Sequence, residues 1–308
     1  MTSPGGVSKR GSHRLAEVSH CARKWYFRWA QGLVPNRTAD HFIEGTLVHL
    51  ALAYYRAEQL DKVGKAPAWF HEKPMEQALD EAGEGYPKAI QLAKSILKSY
   101  QAYHASHDSW EPVAIEEEYT ATLGQLRKLV NPYVEPKPDD GEVVSSRIDL
   151  LLRTNGGLWA CDYKTTAHGY RGRLSDFNPD GEYGVPWQFM VQTAILRVNF
   201  GDQFRGVVVE RILKKEPYDF DRSVVKIPRT IFMQLPEIIA RQCAAEREIA
   251  RTALAAQQAG ADMSEWLPLG NPWSCYSWGH PCEYRPLCTA DTEGAKKDVA
   301  SREYHVVG

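Results

Sequence analysis

Over residues 147–166 the chain reads "RIDLLLRTNGGLWACDYKTT", and three of these side chains could act together on an anion. Asn155-Gly156 is the preferred two-residue hairpin turn, because both central residues need positive φ. With those two as the loop, Thr154 faces Gly157, and counting outward sets Asp149 directly opposite Asp162. Directly paired residues hold their Cβ atoms roughly 4.5–5.5 Å apart on one face. Two carboxylates at that spacing repel each other, and a divalent cation turns the liability into a site. Lys164 falls on the same face as Asp162, while Cys161 and Tyr163 point the other way. A surface salt-bridge cluster is the alternative, but both strands are apolar enough to be central, where unpaired carboxylates are costly. Asp149, Asp162 and Lys164 are therefore read as a metal-assisted site.

The elements that must position this patch follow from periodicity. Residues 1–14 are polar and Gly/Ser-rich and read as a flexible tail. A helical pattern over 15–30 mixes Arg23, Lys24 and Arg28 with Trp25, Tyr26, Phe27 and Trp29. Such a mixture can stack on bases and neutralise phosphate, or pack an amphipathic helix on a core. Helices are expected over 41–59 and 86–104, with no clear pattern over 61–85. A strand over 111–123 and a Pro- and acid-rich link over 131–142 lead to the hairpin. A Gly-rich loop, a helix over 186–199, strands over 205–213 and 223–227, and a long helix over 229–258 follow. The order is that of an α/β domain carrying a helical insertion before residue 111. The expected division is an N-terminal helical part over 15–110, a core over 111–228 and a C-terminal helix with cysteines over 229–308, together forming one compact domain.

Charged residues make up 25% and hydrophobic residues 43%, which suits a soluble globular chain able to bury a sizeable core. The formal net charge of −2 excludes a global basic field, so any nucleic-acid contact must be a local patch. No apolar run is long enough to span a membrane, and the N-terminus lacks a secretory segment. The expected compartment is the cytoplasm, where six cysteines are ligands, catalysts or core residues rather than disulfides.

The hairpin resembles the bipartite Asp…Asp-x-Lys core of the PD-(D/E)XK nucleases. The RecB-like branch, which includes AddB-type, CRISPR-associated and phage exonucleases, adds a Gly-x-x-x-His helix before the core and a Gln-bearing helix after it. Here "GTLVH" supplies Gly45 and His49, and "VPWQFMVQTAIL" supplies Gln188. The chain departs from the branch at Ser145-Ser146-Arg147, where a Gly is common, and at Gln192, where a Tyr is common. The resemblance implies a restriction-endonuclease-like core, a mixed central sheet flanked by helices. It implies that His49, Asp149, Asp162 and the carbonyl of Tyr163 hold Mg2+ or Mn2+, that Lys164 stabilises charge building on phosphorus, and that Gln188 orients Lys164, water or phosphate. Three other groups could add to such a site: Glu44 near the His49 helix, Glu116–Glu118 on the first strand, and His104 with His107. Each reads more simply as solvated or as a polar helix end.

Cys275, Cys282 and Cys288 are spaced more widely than the Cys-x-x-Cys pairs of structural zinc, and loop-borne thiolates of this kind suit an iron–sulfur cluster. The fourth thiolate is Cys21, Cys161 or Cys243. Cys161 belongs to the hairpin core, and Cys243 lies inside a long helix. The nuclease branch often carries one cysteine before the core and three after it on a [4Fe-4S] cluster, which implies Cys21, Cys275, Cys282 and Cys288. Zinc is the alternative metal. A cluster of this kind would staple distant parts of the chain together.

The expected activity is that of a metal-dependent DNA nuclease of the exonuclease type, with Arg23, Lys24 and Arg28 guiding DNA. The rival is a non-catalytic module of the same fold that binds DNA or recruits a helicase. No G-x-x-x-x-G-K-[ST] loop occurs, so a helicase motor, or a recombination or CRISPR partner, would be a separate protein.

Overall fold

The computed structural model describes residues 11–36, 40–107, 110–167, 187–261, 266–267, 275–277, 280–290 and 292–307. The first ten residues of the expected tail and the Gly-rich loop after the hairpin lie outside these. In chain order the elements begin with α1 (Ser12–His20), α2 (Ala22–Trp25), β1 (Leu33–Pro35), α3 (Asp40–Asp61), α4 (Met75–Ala82) and α5 (Pro87–His107). There follow β2 (Glu111–Thr122), α6 (Leu123–Val130), β3 (Val143–Thr154), β4 (Gly157–Thr166), α7 (Trp187–Phe200), β5 (Phe204–Leu213) and β6 (Phe220–Val224). The last are α8 (Arg229–Gln258), β7 (Tyr276–Ser277), β8 (His280–Pro281), α9 (Arg285–Thr289), α10 (Glu293–Glu303) and β9 (Tyr304–Val306). The chain divides into two compact units, one containing Ala39–Leu235 and the other Lys9–Thr38 with Pro236–Gly308.

The first unit is built on a five-stranded mixed sheet in the order β2-β3-β4-β5-β6. Strands β4 and β5 run parallel and every other pair antiparallel. The parallel pair needs a crossover, and α7 lies in it. Both faces are covered, which is why β3 carries three consecutive leucines: Leu150 and Leu152 pack with α3 and α5, and Leu151 packs with α7 residues Phe189 and Leu196. Helix α5 opens on Pro87, whose fixed φ suits a first helical turn. The pattern did not predict α6, although its start carries a capping box: Thr122 Oγ1 accepts from Gln125 N, and the Gln125 side chain accepts from Thr122 N. Strand β6 begins at Phe220, three residues earlier than expected, and ends at Val224.

In the second unit the helical pattern over 15–30 is not one helix. Cys21 is extended (φ −160°, ψ 112°) between α1 and α2, and α2 runs on into a wider π-helical turn at Tyr26–Ala30. Strands β1 and β9 pair antiparallel, Leu33 against Val306. A small core of Phe27, Leu33, Tyr284, Leu287 and Tyr304 packs against Cys282 and Cys288. Tyr284 closes it by donating from its hydroxyl to the Leu33 carbonyl at 2.7 Å.

Candidate active site

The hairpin forms in the expected register. Thr154 pairs with Gly157 and the ladder continues to Leu150 opposite Cys161, one step short of Asp149 and Asp162. Beyond that pair the ladder stops and the carboxylate of Asp149 takes over, its Oδ2 accepting from the Tyr163 N–H at 2.8 Å. Strand β4 carries on to Thr166 because it keeps its parallel partner β5. The two aspartates thus sit where β3 parts from β4: β3 continues on β2 alone, and β4 continues on β5.

Asp162 is only 2% exposed, under α7. Its Oδ1 accepts from Gln188 Nε2 at 2.7 Å, and its Oδ2 lies 2.6 Å from Lys164 Nζ. Lys164 also donates to Gln188 Oε1 at 3.5 Å, which closes a triangle of carboxylate, amide and ammonium. The ammonium stands 5.7 Å above the ring of Phe189, within cation–π reach, while the side chain stays about half exposed (48%). Lys164 and Asp162 share one face, as strand alternation requires, and Tyr163 and Cys161 are buried on the other.

His49 approaches from the opposite layer on α3. Its Nδ1 lies 3.5 Å from Asp149 Oδ2, and its ring meets Tyr163 edge-on at 5.8 Å. Gly45, one turn earlier, explains how α3 comes so close: a Cβ there would meet Thr165 Oγ1 at 3.1 Å. Glu44 is used structurally, in an ion pair with Lys214 at 2.5 Å. Burial, and then the neighbouring charge of Asp162, push the Asp149 carboxyl above its ordinary range. Burial works against the Lys164 ammonium, but Asp162 and Asp149 outweigh it and raise its pKa.

Among the described residues no three His, Cys, Asp or Glu side chains are placed to enclose a metal ion. The chemistry of the donors nevertheless fits a hard divalent cation: two carboxylates, one of them buried, and one imidazole.

The structure also draws in residues that periodicity had not singled out. Arg56, two turns after His49 on α3, is buried; it donates to the Tyr100 hydroxyl at 2.8 Å and lies beside Tyr163. Below them Glu210 binds His104 at 2.6 Å and Arg222 at 2.8 Å, so His104 belongs to a buried polar brace. Buried ionic groups on a sheet flanked by apolar runs leave no periodic signal, which is why the sequence did not reveal them. Glu117 and Glu118 are exposed on β2, whereas Glu116 has an unusual backbone.

In the second unit the cysteines expected to be ligands are free and half-buried. Cys21 caps α2 by accepting from Lys24 N at 3.5 Å, and Cys282 N donates to the Cys275 carbonyl at 2.8 Å. Burial, with the electrostatic influence of Cys21, Cys282 and Cys275, pushes the Cys288 thiol up to about 11. Among the described residues these thiols do not enclose an ion site; an all-thiol donor set is the kind that iron–sulfur clusters and zinc take. Cys161 and Cys243 are buried. The basic residues of the aromatic segment are engaged within this unit. Arg28 bonds Glu17 at 2.8 Å, Lys24 lies between Glu17 and Glu283, and Arg23 donates to the Leu267 carbonyl at 3.0 Å. No helix of the described residues is long and apolar enough to cross a membrane.

Residues 12–289 match the profile of the PD-(D/E)XK nuclease superfamily. No curated protein matches the chain. Among solved structures, the crystal structure of a "putative exonuclease" from Eubacterium rectale aligns over 78% of this chain and 83% of its own, at 12% identity and a TM-score of 0.43.

Proposed function

This chain belongs to the PD-(D/E)XK nuclease superfamily, and we propose that it is a Mg2+- or Mn2+-dependent exonuclease that hydrolyses phosphodiester bonds in DNA. The observation that carries this reading is the convergence of Lys164, Asp162 and Gln188 on one side of β4 with Asp149 and His49 on the other. Asp149, Asp162, His49 and the Tyr163 carbonyl would hold the cation. When bound, it would polarise the scissile phosphate and supply an activated water. Lys164, anchored by Asp162, presents its ammonium where negative charge builds on the phosphoryl oxygens. Gln188 holds both partners of that ion pair and so fixes the lysine's direction.

In the second unit Cys21, Cys275, Cys282 and Cys288 would hold a [4Fe-4S] cluster with a structural role. The support is the order of the four cysteines in the chain and the packing of Cys282 and Cys288 against the core of Phe27, Leu33, Tyr284, Leu287 and Tyr304. Arg23, Lys24 and Arg28 serve DNA only to the extent that phosphate can compete with Glu17 and Glu283 for Lys24 and Arg28, and with the Leu267 carbonyl for Arg23.

The test uses wild type and Lys164→Ala, both purified without oxygen and incubated with end-labelled linear DNA and Mn2+. Release of mononucleotide by wild type, lost in the variant, supports the reading. Equal digestion by both removes the catalytic assignment, and equal cutting of closed circles removes the exonuclease part. Iron content and visible absorption of the same samples decide between cluster and zinc.

A further inference from the structure

The proposal concerns the backbone opposite Asp149 and rests on the nuclease reading above. Glu116 is the one non-glycine residue described with positive φ, at +52°. A residue with a long side chain rarely adopts this left-handed conformation, least of all inside a strand. Its position is specific. In the β2–β3 ladder Ile115 pairs with Leu150 and Glu117 with Ile148, so the skipped pair between them is Glu116 and Asp149.

Both strands turn over at that pair. In a regular strand, residues two apart share a face. Leu150 packs in the core formed with α3 and α5, yet Ile148 packs in the core on the α7 side. The partner strand does the same: Ile115 lies in the first core and Tyr119, four residues on, packs on Phe200 against the second. The phase of β2 and β3 therefore changes at one level of the sheet, where Glu116 is left-handed. At that level Asp149 leaves the β4 ladder, and its carboxylate reaches the Tyr163 N–H and His49 Nδ1.

We propose that Glu116 is a positioning residue whose left-handed backbone inverts β2 and β3 at Asp149 and so aims that carboxylate at His49 and the Tyr163 amide. Without the inversion Asp149 would continue the regular ladder opposite Asp162, and α3 would face a leucine-type position instead of a carboxylate. The property that matters is the backbone conformation, which separates this role from that of a carboxylate ligand.

Full-length Glu116→Gly, Glu116→Gln and Glu116→Val are compared with wild type in two measurements: Mn2+-dependent digestion of end-labelled DNA, and hydrogen exchange at the Tyr163 amide with the Ala160 amide as control. Glycine adopts positive φ freely, so Glu116→Gly is expected to keep kcat within about twofold, and Glu116→Gln likewise. Valine is β-branched and resists this conformation, so Glu116→Val is expected to lose on the order of tenfold or more in kcat. Its Tyr163 amide should exchange faster while Ala160 stays protected. Wild-type rates in the valine variant overturn the proposal, and so does an equal fall in the glycine variant, which would assign the role to the carboxylate. If Glu116→Val does not melt cooperatively, Glu116→Ala replaces it: alanine below glycine supports the proposal, and equal values overturn it. Failure of wild type to digest DNA removes the nuclease reading alone, because exchange at Tyr163 still tests Glu116.

Discussion

Asp149 and Asp162 hold two negative charges side by side at the end of a buried hairpin. The arrangement costs stability when no cation shares it: burial and the Asp162 charge both raise the Asp149 pKa. Such functional strain is often relieved by neutralising one partner, with gains of roughly 0.5–2 kcal/mol. Asp149→Asn is therefore expected to raise the melting temperature of the metal-free protein while abolishing nuclease activity. Mn2+ should stabilise wild type but not the variant, and calorimetry with and without the cation checks both. Lys164 is different, because its side chain is about half exposed and it spans the two partners that already hold each other. Lys164→Ala should leave melting almost unchanged and lower kcat about 10²–10³-fold, the scale of losing one transition-state charge partner. Of these residues, Asp149, Asp162, Lys164, His49 and Gln188 were legible from turn chemistry and motif order. Arg56 and Glu210 were not, because a buried ion looks like any polar residue until its partners are in place.

At the scale of elements, α3 sets the distance between the imidazole and the carboxylates. Gly45 allows it, since a methyl group there would press on Thr165 of β4. Alanine favours helix by up to about 1 kcal/mol over glycine, so Gly45→Ala should stabilise α3 yet lower activity several-fold by displacing His49. Gly45→Ala combined with Thr165→Ala should recover activity, and a double-mutant cycle on kcat/KM reads the coupling. The buried brace beneath α5 makes a pH prediction. Burial raises the Glu210 pKa, but the bonds from His104 and Arg222 outweigh it and leave the value lowered. A depressed folded pKa lends stability that is complete above the unfolded value, about 4.3 for glutamate, and is lost as pH falls through the folded value. Wild type should therefore lose stability steeply below about pH 4.3. Glu210→Gln should start lower by about 3–5 kcal/mol and show a flatter acid limb, because it removes the buried carboxylate that pairs with His104 and Arg222. Helix α6 was missed for a local reason: its capping box lies at the end of a strand whose pattern runs into it without a break.

Over the whole molecule, Asp149 and Asp162 lie in one compact unit, and Cys21, Cys275, Cys282 and Cys288 lie in the other. Cys282→Ser and Cys288→Ser are expected to lose visible absorption and iron together and to melt at lower temperature, whereas Lys164→Ala keeps both. Zinc without iron in the wild type would replace the cluster but leave the stability prediction in place. Of the basic residues near Cys21, Lys24 and Arg28 are already answered by Glu17 and Glu283, and Arg23 donates to the Leu267 carbonyl. The order of the motifs, the hairpin register through Asn155-Gly156 and the alternation that sets Lys164 beside Asp162 were determined by sequence alone, because turn geometry and strand period act over a few residues. Three features were decided only by the tertiary structure: the break of the first helix at Cys21, the inversion of β2 and β3 at Glu116, and the carboxylate of Asp149 replacing a ladder bond at Tyr163. Each depends on groups from separate elements competing for the same space or the same N–H, and no local pattern carries that competition.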